Sequence, residues 1–186
     1  MSTVTTTATT GITTWKLDPA HSVAEFKVRH MMIANVKGQF TAITGAMTLD
    51  PNDVTRSRIE ASVDAASINT RDAHRDGHLK SPDFFDVQKY PNLTFASTRV
   101  ERESEDKLAV TGKLTIHGFT REVVFDVEGP TPPHKDPWGS TRIGVSATAK
   151  INRKDFGLNW NAALEAGGFL VGEEVTITLD VEFVQA

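Results

Sequence analysis

Histidine is the residue type here best suited to proton transfer or metal ligation, because the chain has six of them and no cysteine. His74 and His78 stand four apart in Arg71-Asp72-Ala73-His74-Arg75-Asp76-Gly77-His78. On a helix that spacing puts both imidazoles on one face, where they could share a divalent metal. Two histidines without a located third ligand do not make a closed site, and the same segment reads as a solvated helix face. His30 falls on the apolar phase of its segment. A lone inward histidine is more often hydrogen-bonded within a core than catalytic, though in a lipid pocket it could hold a polar head. His21 and His117 fall near strand ends and read as turn residues. Asn152-Arg153-Lys154-Asp155-Phe156-Gly157 could set an arginine beside a carboxylate. The simpler reading there is a structural turn locked by a salt bridge. Ser22, Ser97 and Ser146 have no convincing local partners. No nucleophile elbow, phosphate loop, dinucleotide fingerprint or metalloprotease pattern occurs, but a triad assembled in space stays open.

The elements that must carry these residues are mostly strands. Ile143, Val145, Ala147, Ala149 and Ile151 alternate with polar residues, as do Val175, Ile177, Leu179, Val181 and Phe183. A period of two gives each strand one apolar and one wet face. The same alternation runs through Ala24/Phe26/Val28/His30, Val36/Gly38/Phe40, Ile43/Gly45/Met47/Leu49, Ile59/Ala61/Val63, Leu93/Phe95/Ser97 and Leu108/Val110/Gly112/Leu114/Ile116. Val123, Val124, Phe125 and Val127 break the alternation and predict a strand covered on both sides. Asp18-Pro19 interrupts the first strand, and Asp50-Pro51-Asn52-Asp53 is a turn. One helix is predicted near 71–79, capped by Asn69 or Thr70, with Asp72 in its first turn and Ser81-Pro82 at its end. Long loops are predicted over 131–137 and 160–174. The fold class expected is all-β: an antiparallel barrel of about eight strands with one short helical insertion. Eight strands enclose either a side-chain core or one small ligand.

Length and charge narrow the function. The 186 residues suit one domain with a sizeable core. A net charge of −4 argues against a broad nucleic-acid interface. Residues 1–14 are mostly Thr, Ser, Ala and Val and read as a flexible polar leader before a barrel domain at 15–186. They lack a signal-peptide pattern, so a cytoplasmic location is expected, without stable membrane insertion.

Many segments, in order, resemble the YceI-like family of lipid-binding proteins. They include Phe26-Lys27-Val28-Arg29-His30-Met31, Val36-Lys37-Gly38-Gln39-Phe40, Ser67-Ile68-Asn69-Thr70 and His78-Leu79-Lys80-Ser81-Pro82-Asp83-Phe84-Phe85-Asp86. Val110-Thr111-Gly112-Lys113-Leu114-Thr115-Ile116-His117-Gly118, Ile151-Asn152-Arg153-Lys154-Asp155-Phe156-Gly157 and the closing strand to Phe183 extend the likeness, which runs from about Trp15 to Phe183. The resemblance implies an extended lipocalin-like barrel, often dimeric, whose elongated apolar pore binds polyisoprenoids or related long-chain amphiphiles. Many members are periplasmic or secreted, a pattern this chain departs from.

The function expected is non-catalytic binding, storage or transport of such a lipid, with no cofactor, no metal and a homodimer as one arrangement. Strand phase nominates Phe26, Val28, His30, Phe40, Met47, Ile59, Val63, Phe95, Leu114, Ile116, Val145 and Ile177 for the pore, and Phe84 joins them from the aromatic link after the helix. Parity alone does not separate pore lining from core filler. The alternatives are a small histidine-dependent enzyme, with or without metal, and a filled barrel acting through a partner surface.

Overall fold

Alternation becomes strand throughout the computed structural model, which describes residues 11–186. In chain order the strands are β1 (Thr13–Leu17), β2 (Val23–His30), β3 (Ala34–Phe40), β4 (Ile43–Leu49), β5 (Arg58–Asp64), β6 (Ile68–Asn69), β7 (Asn92–Arg102), β8 (Lys107–Ile116), β9 (Phe119–Glu128), β10 (His134–Lys135), β11 (Thr141–Asn152) and β12 (Val171–Gln185). One α-helix, α1 (Ala73–Lys80), lies between β6 and β7.

β11 pairs with β9 along one edge and with β12 along the other, so β1, β4, β5, β7, β8, β9, β11 and β12 close into an eight-stranded antiparallel ring. Closure gives each ring strand a partner on both sides, while β10 and the β3–β6 side of the sheet keep an outer edge. β2, β3 and β6 extend this ring. The second edge of β12 pairs with β2 from Val175↔Val28 to Asp180↔Val23, and with β1 from Phe183↔Leu17 to Gln185↔Trp15. β1 and β2 are thus two pieces of one bent strand. Pro19 forces the bend because it lacks an N–H, and Asp18 caps the short turn by accepting from the Ala20 N–H at 3.0 Å.

The packed core has two parts. Trp15, Leu17, Ala24, Ile43, Met47, Ile143, Val181 and Phe183 form one, and Val100, Leu108, Val110, Leu114, Ile116, Val123, Phe125, Val127 and Phe156 belong to the other. Each large side chain fully withdrawn from water contributes about 1.5–3 kcal/mol.

Several local expectations are corrected. The helix cap is Asp72, which accepts from the Arg75 N–H at 3.0 Å. Thr70 is buried, and its hydroxyl donates to Asp76 at 2.5 Å and accepts from Arg75 Nε at 2.8 Å, so it is already committed inside. Val171–Glu174 belong to β12 rather than to the preceding loop, and His134–Lys135 form a short strand within 131–137. Val124 is 50% exposed while Val123, Phe125 and Val127 are buried, so β9 has one wet face after all. β1 starts at Thr13, inside the expected leader, and residues 1–10 of that leader lie outside the described residues.

Candidate ligand cavity

The barrel encloses a cavity of about 420 Å³ with almost wholly apolar walls. Phe26 and Val28 reach it from β2, Phe40 from β3, Met47 from β4, and Ile59 and Val63 from β5. Phe95 comes from β7, Leu114 and Ile116 from β8, Val145 from β11 and Ile177 from β12. Phe84, just after α1, and His30, at the end of β2, complete the set, so every residue nominated from strand phase and the aromatic link lies on this one wall. β12 contributes from Val171 to Val181. At about 3.3 Å per residue that is roughly 33 Å of strand. A barrel tilt of about 40° reduces it to roughly 25 Å along the axis.

Two glycines shape the wall. Gly38 pairs with Phe26 across β2 and β3, and the Phe26 ring lies where a Cβ on residue 38 would stand. Phe95 covers Gly112 in the same way. Each phenylalanine can lie flat along the sheet only because its neighbour has no side chain. Phe26 continues to Phe40 with ring centroids 5.8 Å apart, and Phe40 meets Phe85 edge-on, also at 5.8 Å.

One end of the cavity carries most of the polar groups, with Glu25, Ser57, Arg58 and Thr94 elsewhere on the wall. Arg29, His30, His74, Arg75, His78 and Arg153 line that end, and Arg29 and His74 are exposed, so the cavity reaches solvent. The His30 ring has no hydrogen-bond partner among the described residues; the loop-carbonyl bond that a core histidine would make is not formed. His78 Nε2 lies 2.8 Å from Asp83 Oδ2, and its ring stands edge-on to Trp160 at 4.6 Å and to Phe84 at 5.2 Å. Asp83 and two aromatic rings thus hold the His78 ring in place.

Arg153 corrects the expectation of a salt bridge with Asp155. It is only 3% exposed, and its guanidinium donates to four carbonyls: Gly172 at 2.7 Å, Leu158 at 2.5 Å, Trp160 at 2.9 Å and Val171 at 3.2 Å. Burial pushes its pKa below the ordinary arginine value, with Glu173 opposing. The ion pair at this turn is Lys154 with Glu173, at 2.6 Å. The carbonyls gathered by Arg153 belong to the two ends of the loop between β11 and β12. Arg153 therefore holds that loop against the cavity.

Among the described residues, the one trio with metal-ligand spacing is Asp18, His21 and Glu182. Arg142 occupies it: its guanidinium donates to Asp18 at 2.6 Å, Glu182 at 2.7 Å and Asp136 at 2.7 Å. Arg142, then the hydrogen-bonded His21, lower the Asp18 pKa to about 2. These carboxylates already surround one cation, and the cluster clamps the β1–β2 bend to β11 and β12.

Sequence reading does not single out Arg142 or the wall residues Leu158, Trp160, Leu170 and Val171. Val171 keeps the odd phase of Val175, but the charged Glu173 between them and a register shift interrupt the pattern. Leu158, Trp160 and Leu170 sit on a loop, where no period exists to reveal direction.

The YceI-like domain model matches residues 15–183. A UPF0312 protein of Staphylococcus aureus strain MSSA476 is 40% identical over 172 residues, covering 92% of this chain and 98% of that protein. A solved Campylobacter jejuni YCEI protein is 31% identical, with a TM-score of 0.72 over 86% of this chain and 91% of that one. A solved polyisoprenoid binding domain from Saccharophagus degradans shares the fold at 16% identity, with a TM-score of 0.67 over 92% of this chain and 98% of that one. From near its first strand almost to its last residue, the chain belongs to the YceI-like family.

Proposed function

We propose that this protein binds a polyisoprenoid or another long-chain amphiphilic lipid in its barrel, without chemistry, for storage or transport. The long apolar cavity is the observation that carries the reading. Its volume of about 420 Å³ falls within the range of ligand sites, about 300–1,000 Å³. An extended chain of single bonds advances about 1.2 Å per bond, so one isoprene unit spans about 5 Å and roughly five units fill the cavity's length. The fold neighbour described as a polyisoprenoid binding domain is consistent with such an occupant.

The energetics favour chain length over head chemistry. Each buried CH₂ contributes about 0.8 kcal/mol, so one five-carbon unit contributes roughly 4 kcal/mol before ordering costs. Association itself costs about 4–15 kcal/mol, which a few buried units offset. Titration with prenols of increasing length tests the reading. Affinity is expected to rise by at least about tenfold per isoprene unit and to level off once the cavity is full. Affinity that does not change with length would overturn the proposal.

A further inference from the structure

The open end of the cavity is rimmed by apolar side chains facing water. Met31, Met32 and Ile33 form the tip of the β2–β3 hairpin and are 41%, 61% and 76% exposed. Phe169, 58% exposed, stands on the loop between β11 and β12. The two tips touch: the Met31 N–H donates to the Leu170 carbonyl at 2.7 Å, and Met32 Sδ packs on Gly168. The next residues inward, His30 and Leu170, line the cavity, so the rim continues its wall.

Two further observations set this rim apart. Met31 and Met32 hold φ of 50° and 61°, a left-handed conformation that disfavours methionine and suits glycine or asparagine. The hairpin thus carries large apolar side chains where turn chemistry would choose small or polar ones. Formal charge is sparse on the two tips themselves, while Arg29, whose guanidinium donates to the Met32 carbonyl at 3.3 Å, stands beside them at the mouth. His30 to Val36 carry none with histidine neutral, and Gly157 to Gly172 carry only Glu165.

We propose that this rim docks peripherally on a lipid bilayer, with Met31, Met32, Ile33 and Phe169 in the interfacial layer and the cavity mouth turned to the lipid. The proposal rests on the reading of the cavity as a lipid site. A long lipid leaving through water would re-expose its whole chain, and a mouth seated on a bilayer avoids that exposure. Area separates a bilayer from a second copy of this chain. At about 200 Å² per large side chain, the rim offers roughly 450 Å². A stable dimer needs about 800 Å² from each partner, matched in shape. A bilayer surface requires no matching shape, only apolar side chains at interfacial depth.

Flotation of the full chain with vesicles of phosphatidylcholine and phosphatidylglycerol tests the proposal. Ile33→Ser and Phe169→Ser are made separately; neither residue lines the cavity. Thermal melts confirm that each variant is folded, and farnesol titration in solution reports the cavity independently. The wild-type chain is expected to float with vesicles in low and high salt, and each variant to lose at least about tenfold of its partitioning while farnesol affinity is retained. A wild-type chain that stays unbound, or folded variants that float equally well, would overturn the docking. So would salt-abolished binding, or a wild-type dimer that both variants dissociate while vesicles have no effect. Vesicle binding without farnesol binding would support the docking and defeat the lipid reading of the cavity, so the two failures are distinct.

Discussion

The two halves of β12 carry the same kind of side chain to different ends. Phe183, with no exposure, meets Trp15, Leu17, Ile43 and Ile143 in a solid core, and Val181, 7% exposed, stands where that core meets the cavity wall. Val171, Val175, Ile177 and Leu179 keep the inward direction but stay half-buried, facing open cavity. The difference follows the neighbours in the sheet. At the solid end, Phe183 stands between Ile143 on β11 and Leu17 on β1. At the open end, β12 stands beside Ala147 and Ala149 on β11, and on its other edge beside Phe26, which leans over Gly38. Alternation decides which way a side chain points; the summed volume of its neighbours decides whether it becomes core or wall.

The largest test of this contrast is a matched pair of truncations. Phe183→Ala removes a ring with no exposure and is expected to cost about 3–5 kcal/mol in a denaturant melt. Ile177→Ala removes a side chain that already borders open space. It is expected to cost only about 1 kcal/mol in stability but about tenfold in prenol affinity. Equal stability losses would show the cavity wall to be ordinary core.

Gly38→Val sharpens the contrast from the opposite direction. A side chain there must displace the Phe26 ring, which in turn contacts Phe40. Overpacking of this kind costs about 1–3 kcal/mol, and the displaced ring is expected to shorten the longest prenol that fits. An unchanged length preference would mean that Phe26 does not define the wall.

The Arg142 clamp adds a pH signature to the solid end. The Asp18 pKa falls from 3.8 to about 2 on folding, chiefly through Arg142 and next through His21. Its folded value is the lower one, so its stabilising contribution is complete above about pH 4 and is lost as pH falls toward 2. Asp18→Asn should therefore melt earlier than wild type at about pH 5, and the gap should close by about pH 2. A gap independent of pH would assign the effect to the turn cap alone.

The smallest effect is expected at the mouth. The His30 ring lies on the wall with no internal partner among the described residues. Apolar contact is non-directional, and choice among heads requires placed polar groups. His30→Leu should leave affinity for long apolar chains largely intact and reduce discrimination among ligands that share a tail and differ in head. Unchanged head preference with a clear loss of stability would make His30 a structural residue.

The strands are legible because a period of two survives in nearly every one, but the same pattern suits a sandwich, and it is the pairing of β11 with both β9 and β12 that closes the ring. Strand phase also brings Phe26, Ile59, Leu114 and Val145 to one wall. Direction is a local property, and the pattern records it. The helix cap was less legible, because Asn69, Thr70 and Asp72 all suit the role and only burial of Thr70 decides among them. Arg153 was misread because its neighbour Asp155 offers an obvious partner, whereas its carbonyl partners extend as far along the chain as Gly172. The Arg142 clamp joins residues from Asp18 to Glu182, a contact that no local spacing encodes. The volume left open inside the barrel was not legible at all, because it depends on which large side chains face one another across strands.

Native mass spectrometry of the full chain, purified without detergent and followed by organic extraction, tests the lipid reading of the cavity most directly. The expected result is a stoichiometric adduct whose extract is a long-chain isoprenoid or related amphiphile, lost in a variant that fills the cavity such as Gly38→Val. A bare protein that also takes up no added prenol would contradict it.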